Sequence, residues 1–241
     1  METKTIKGKA IRSPQGRAGE YARYACDFFC GCSCGCTYCF NKTGRFKDTL
    51  GGGKPTLKKY FRDEDHALEV FEKELKANLP ELQKHGLFFC FLTDPMLPET
   101  KGLTELALGI CRYRKTPAKI LTKRADWVEE YLIDFHNFCL RAKTDEIKLF
   151  TDFVAFGLTL TGHDEIETGA STNAERIEAM QKLHEAGFKT WASIEPIISF
   201  PRSIEMVYET NLFCDLYKIG LERNKRYDKE NLNRFINAVF D

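Results

Sequence analysis

The nine residues Cys32-Ser-Cys34-Gly-Cys36-Thr-Tyr38-Cys39-Phe40 hold four of the ten cysteines in the chain, and Cys26 and Cys30 lie just upstream. One set of three, Cys32, Cys36 and Cys39, has the spacing C-x3-C-x2-C. That spacing lets a single loop wrap three thiolates around one face of an iron-sulfur cubane and leaves the fourth iron without a protein ligand. The alternative is zinc, which takes four ligands in structural sites, often from two separated C-x2-C pairs. No second such pair occurs, so zinc would have to recruit Cys30 or Cys34. A disulfide framework fits less well, because the N-terminal residues lack the apolar stretch of a secretory leader and 241 residues suffice to bury a core.

Length and charge narrow the class. A chain of 241 residues suits a single α/β domain over residues 1–241, and a net charge of +1 creates no overall field for nucleic acid. Locally the balance differs. Between Asn41 and Arg62, Lys42, Arg45, Lys47, Lys54, Lys58, Lys59 and Arg62 face one acid, Asp48, a local charge of about +6. No apolar run approaches the ~18 residues of a membrane span. These readings predict a cytoplasmic, monomeric protein with reduced thiols.

Hydrophobic periodicity orders the chain. Residues 1–20 read as an extended, turn-rich lead-in, and Tyr21–Phe29 as a first strand entering the cysteine loop, where Gly31 and Gly35 let the backbone turn. Gly51-Gly52-Gly53 reads either as a surface loop or as a phosphate cradle. Helix signals follow at 63–79, 101–115, 126–140, 172–187, 203–211 and 229–239, the fourth opened by the Thr172-x-x-Glu175 capping pattern. Between them lie short apolar runs at 87–92, 118–121, 153–160, 188–194 and 214–219. Six strands alternating with helices predict a partial (β/α)6 barrel with parallel strands, whose active residues sit at the C-terminal strand ends. The polar residues there are Thr93 and Asp94, Thr122 and Lys123, Thr159 and Thr161, and Ser193 and Glu195.

The cysteine spacing, with Tyr38 before the last cysteine, resembles the cluster loop of radical S-adenosylmethionine (SAM) enzymes. Leu121-Thr122-Lys123, Gly157-Leu-Thr159-Leu-Thr161, Glu167-Thr-Gly169-Ala-Ser171 with Arg176, and Ala186-Gly187-Phe188 are similar to the spore photoproduct lyase branch of that superfamily. The lead-in Gly16-Arg17-Ala-Gly19-Glu20-Tyr21-Ala is similar to relatives called DNA-repair photolyase-like. The resemblance implies a [4Fe-4S] cluster on Cys32, Cys36 and Cys39, and reductive cleavage of SAM to methionine and a 5′-deoxyadenosyl radical. It also implies an electron donor such as a flavodoxin, ferredoxin or reductase. By the same resemblance Tyr38, Thr93 and Asp94 lie near SAM, Lys123 meets its carboxylate, Thr159 and Thr161 line the nucleoside, and Glu167 and Arg176 either touch the cofactor or form an ion pair shaping the rim.

Three features depart from that pattern. Where the branch carries a hydrogen-donating cysteine on the second strand, Phe91 aligns, and Cys90 stands one residue away, facing the other side of a strand. The chain holds six βα units, with little room for an added DNA-binding element. Ser193-Ile-Glu195-Pro196 puts a carboxylate at a rim position and resembles the Ser-(Leu/Ile)-Glu-Pro-Leu stretch of a phage-associated radical SAM-like family. Glu195 and Cys90 are therefore catalytic candidates; Lys54, Lys58, Lys59, Tyr60 and His163 are substrate-binding candidates, with Phe46 and Phe61 available for stacking. The expected substrate is a nucleic-acid base or nucleotide undergoing repair or modification; a zinc-binding nucleic-acid module is the alternative.

Overall fold

The computed structural model describes residues 4–42, 47–222 and 225–240. The first elements are short: strand β1 (Ile11–Arg12), the single helical turn α1 (Ala18–Tyr21), β2 (Ala25–Cys26), β3 (Phe29–Cys30), α2 (Lys47–Leu50) and β4 (Thr56–Leu57). Regular alternation then sets in, with α3 (Glu64–Ala77), α4 (Leu79–His85), β5 (Leu87–Phe89), α5 (Lys101–Tyr113), β6 (Ala118–Thr122), α6 (Val128–Cys139), α7 (Thr144–Phe153) and β7 (Val154–Thr159). It closes with α8 (Asn173–Glu185), β8 (Lys189–Ile197), α9 (Phe200–Thr210), β9 (Leu216–Leu221) and α10 (Lys229–Phe240).

The main sheet has the order β1-β2-β5-β6-β7-β8-β9. From β2 to β9 every neighbour is parallel and follows chain order, while β1 adds an antiparallel strand at one edge. Six parallel strands joined through helices are the expected partial (β/α)6 barrel. The sheet curls far enough for the segment before β2 to reach β9: Arg17 Nη1 donates to Leu221 O at 3.4 Å, and Glu20 pairs with Lys218 at 3.0 Å. A right-twisted parallel sheet takes this shape when helices cover one face.

That outer face carries most of the core. Phe71 and Leu75 of α3, Leu103 and Ala107 of α5, Val128 and Phe135 of α6 and Leu183 of α8 pack on Phe89, Ile120, Phe156 and Phe188, and a second group joins α8, α9 and α10 to β7 and β8. Each such side chain stabilises by about 1.5–3 kcal/mol on leaving water. The helices begin where their caps predict: Asp63 accepts from His66 N at 2.7 Å, and Thr172 and Glu175 form the reciprocal capping box of α8. Among the described residues no helix is long and apolar enough to cross a membrane.

Two segments differ from expectation. Tyr21–Phe29 is not one strand: Tyr21 ends α1, only Ala25–Cys26 joins the main sheet, and Phe29–Cys30 turns away to pair with Thr56–Leu57. Helix α7 was not expected. Its boundary residue is Lys143, a poor cap by type, yet Glu146 bonds back to Lys143 N at 2.8 Å, and Ile147 and Phe150 pack partly buried against the core.

Candidate active site

The cysteine loop leaves β3 and lies over the C-terminal ends of the parallel strands. Cys32 N donates to Gly52 O at 2.9 Å, Thr37 N to Ile166 O at 3.0 Å, and Gly169 N to Cys34 O at 3.0 Å. The glycine-rich stretch thus braces the loop through Gly52. At Gly35, φ is +72°, and a Cβ there would meet Thr168 Oγ1 at 2.5 Å; opposite it, a Cβ on Gly169 would lie 2.0 Å from Ser33 O. Only glycine allows the two backbones to approach so closely.

Cys34 and Cys36 are buried against Leu97, with half-buried Cys32, Tyr38 and Cys39 beside them. A hydrogen bond with Cys34 draws the Cys32 thiol down against the effect of burial, while the same bond and burial push Cys34 up. Burial raises Cys36. Metal ligands must be thiolates, and the contact with Cys34 favours that form at Cys32. Among the described residues no three His, Cys, Asp or Glu side chains are grouped to hold a single metal ion. A zinc ion needs its sulfur donors about 2.3 Å from one point, so the zinc alternative requires this loop to rearrange. A cubane offers each thiolate a different iron and takes a wider spread of ligands. Three thiols on one glycine-hinged loop fit that group by donor chemistry.

The strand-end residues gather beneath the loop. Thr93 is buried, and among the described residues its hydroxyl has no hydrogen-bond partner, which leaves it available to a bound molecule. Asp94 is fully engaged: Oδ1 accepts from Thr122 Oγ1 at 2.6 Å and Met96 N at 3.0 Å, and Oδ2 from Lys123 N at 2.7 Å, with Cys34 Sγ at 3.6 Å. It ties the loop to β6. Lys123 Nζ lies 3.4 Å from Thr159 Oγ1 and 5.7 Å from the centre of the Tyr38 ring. Burial opposes its charge, while the acidic groups around it, with Glu167 the ionised one, favour it and raise its pKa above the ordinary lysine value. A cation so placed can bind a carboxylate.

Glu167 and Arg176 form the buried ion pair. Arg176 Nη2 reaches Glu167 Oε2 at 2.6 Å and Nη1 donates to Thr159 O at 2.6 Å, both side chains being fully buried. Thr161 Oγ1 also donates to Oε2, at 3.2 Å, and Tyr38 OH donates to Oε1. The pair thus fastens the cysteine loop to the end of β7, and Thr161 spends its hydroxyl there. His163 Nδ1 stands 2.7 Å from Glu165 Oε1, while its Nε2 is buried with no partner among the described residues.

The inner face of the sheet is lined by Ala25, Phe88, Phe91, Leu121, Ala155 and Trp191. Into it projects Tyr21, which sequence reasoning had assigned to a strand. Its hydroxyl donates to Glu195 Oε2 at 2.6 Å and lies 2.9 Å from Ser193 Oγ. Burial, and then the bond to Glu195, push its pKa far above the ordinary tyrosine value. Lys218 of β9 pairs with Glu20. No short-range signal links Tyr21 to Glu195, since 174 residues separate them.

Three candidates are corrected. Cys90 belongs to the outer core, grouped with Cys26 and Cys111, and burial drives its thiol well above the ordinary value; Phe91 takes the inner face. Cys90 is therefore turned away from the site. Lys58 is spent on main-chain carbonyls, donating to Lys9 O at 2.5 Å and Asp27 O at 2.8 Å, so its ammonium is a brace. Phe61 is likewise buried. Lys54, Lys59 and Tyr60 are exposed, and Arg45 and Phe46 lie outside the described residues.

No family model matches the chain. It is 27% identical over 232 residues to the uncharacterized protein MJ0683 of Methanocaldococcus jannaschii, covering 90% of this chain and 76% of that protein. Among solved structures it is similar to spore photoproduct lyase complexed with a dinucleoside spore photoproduct, with a TM-score of 0.61 and 17% sequence identity, over 91% of this chain. The chain spans 61% of the length of that lyase chain. With its parallel strands in the same curled arrangement, the chain has the fold of spore photoproduct lyase, the branch its motifs resemble.

Proposed function

We propose that the chain is a radical SAM enzyme that removes hydrogen from a nucleic-acid base or nucleotide, in a repair or modification reaction. The observation that carries this reading is the C-x3-C-x2-C loop lying over the C-terminal strand ends of a parallel partial barrel, beside the unpartnered Thr93 hydroxyl and the cationic Lys123. Cys32, Cys36 and Cys39 would hold a [4Fe-4S] cluster, which with SAM supplies the 5′-deoxyadenosyl radical. Lys123 would counter the SAM carboxylate, Thr93 offer a hydrogen bond, and Thr159 face the nucleoside. Asp94, Thr161, Glu167 and Arg176 support these groups from behind. The electron would come from a flavodoxin, ferredoxin or reductase.

The substrate half of the reading draws on three points: the spore photoproduct bound by the lyase of like fold, the exposed Lys54 next to Gly31 with exposed Lys59 and Tyr60 further along the same segment, and the inner-face carboxylate Glu195. Cations there can meet phosphates, and an aromatic ring can stack on a base. With Phe91 on the inner face, hydrogen return from a cysteine of the second strand is not available to this chain, so its reaction departs from the pattern expected of that branch.

The test is anaerobic iron-sulfide reconstitution, dithionite reduction and chromatography for 5′-deoxyadenosine after SAM is added. About four irons per chain are expected, with deoxyadenosine formed and both lost in the Cys32/Cys36/Cys39-to-Ala chain. Bound zinc without SAM cleavage would overturn the reading in favour of a zinc-binding nucleic-acid module.

A further inference from the structure

Glu195 lies half-buried on the inner face, and among the described residues no basic side chain pairs with it, because Lys218 is committed to Glu20. Its Oε2 accepts from Tyr21, and among the described residues no hydrogen bond engages Oε1. A hydroxyl has one hydrogen. Since Tyr21 gives its own to Glu195, the 2.9 Å contact with Ser193 Oγ has Ser193 as the donor, and the chain Ser193 to Tyr21 to Glu195 runs in one direction.

The geometry is held from every side. The Tyr21 ring centre lies 5.8 Å from Phe88, 6.1 Å from Phe91 and 6.1 Å from Trp191, with Lys218 Nζ 5.1 Å from it. Helix α1 itself is tied across to β9 through Arg17 and Glu20. On β9, Gly220 leaves the space the acid occupies, since a Cβ there would lie 2.4 Å from Glu195 Cδ. A half-buried carboxylate fixed at one oxygen, with neither a partner at the other nor a counter-ion among the described residues, can accept a donor from outside the chain.

We propose that Tyr21 is the positioning residue for this acid, holding Oε2 so that Oε1 accepts a hydrogen bond from a ring N–H or amino group of the substrate base. The proposal rests on the nucleic-acid reading above and adds to it a substrate class, a nucleobase presenting an N–H edge to β8, and a residue that sets its selection. Tyr21 acts through Glu195 and needs no contact with substrate.

The test is equilibrium dialysis of the full reconstituted chain against thymidylyl-thymidine and against the same dinucleotide methylated at both thymine N3 atoms, which removes the N–H. The unsubstituted chain should favour the N–H form by about tenfold or more, the effect of one hydrogen bond to a charged acceptor. Glu195→Gln and Tyr21→Phe should each lose most of that preference. Because the preference is a ratio within one variant, general loosening of the fold does not imitate it. If Tyr21→Phe keeps the full preference while Glu195→Gln loses it, Tyr21 only packs and the proposal fails. If the unsubstituted chain binds both dinucleotides equally, the proposal fails and the nucleic-acid reading stands. Binding of neither removes the nucleic-acid reading, and the proposal with it.

Discussion

Arg176→Met would remove the guanidinium that joins helix α8 to the end of β7 and, through Glu167, to Tyr38 of the cysteine loop. Methionine keeps an unbranched chain of similar length, so the loss is chiefly of charge and hydrogen bonds. Glu167 would remain fully buried without its guanidinium partner, with the Lys123 charge still acting on it, and the Thr159 carbonyl would lose the Arg176 donor. Breaking a buried ion pair on one side costs about 3–5 kcal/mol. The hydroxyls of Tyr38 and Thr161 still solvate Glu167, which puts the expected loss near the lower end, about 3 kcal/mol, or about two orders of magnitude in the folding equilibrium. Urea unfolding followed by circular dichroism and by fluorescence measures it, provided the two transitions coincide. Adding Glu167→Gln removes the stranded charge, so the double variant should be more stable than the sum of the single losses by about 1 kcal/mol or more. Iron retention after reconstitution should fall in Arg176→Met and recover partly in the double variant, because Tyr38 regains a neutral partner. A loss below about 1 kcal/mol, or strictly additive losses, would show that the pair does not join the loop to the barrel.

Gly157→Ala would build a Cβ 2.1 Å from Trp191 Cε2 and should cost about 1–3 kcal/mol by overpacking, with a change in tryptophan emission; Trp191→Leu in the same chain should restore part of the stability. Gly169→Ala forces Ser33 O away and should lower the iron bound per chain while leaving far-ultraviolet circular dichroism unchanged; full iron retention would show that the loop tolerates the shift. For the nucleic-acid reading, Lys54→Ala and Lys59→Ala should each reduce the salt dependence of oligonucleotide binding by about one unit of slope, whereas Lys58→Ala should lower stability instead, since its ammonium serves Lys9 O and Asp27 O. Equal slopes for all three would refute that division.

Much of the fold was readable along the chain. Asp63, the Thr172–Glu175 box and the apolar face Phe71–Leu75 announce α3 and α8, and the buried runs around Phe89, Ile120 and Phe156 announce β5 to β7, because each signal lies within a few residues. Cys90 and Phe91 do lie in different clusters, but not by strand alternation: β5 ends at Phe89, and Phe89 and Cys90, neighbours in the chain, both join the outer core. Helix α7 escaped because Lys143 at its start is not one of the usual capping residues, although Glu146 bonds back to Lys143 N there.

The sequence by itself determined the ligand spacing of the cysteine loop and the βα alternation that commits the chain to a curled parallel sheet, for both depend on short-range order. Tertiary structure alone decided that Tyr21 reaches Glu195, that Lys218 turns to Glu20, and that Lys58 and Asp94 are spent on the protein itself. Those pairings follow from sheet curvature and strand register, which bring together side chains far apart along the chain and leave a donor or acceptor free only where no other part of the fold has reached it first.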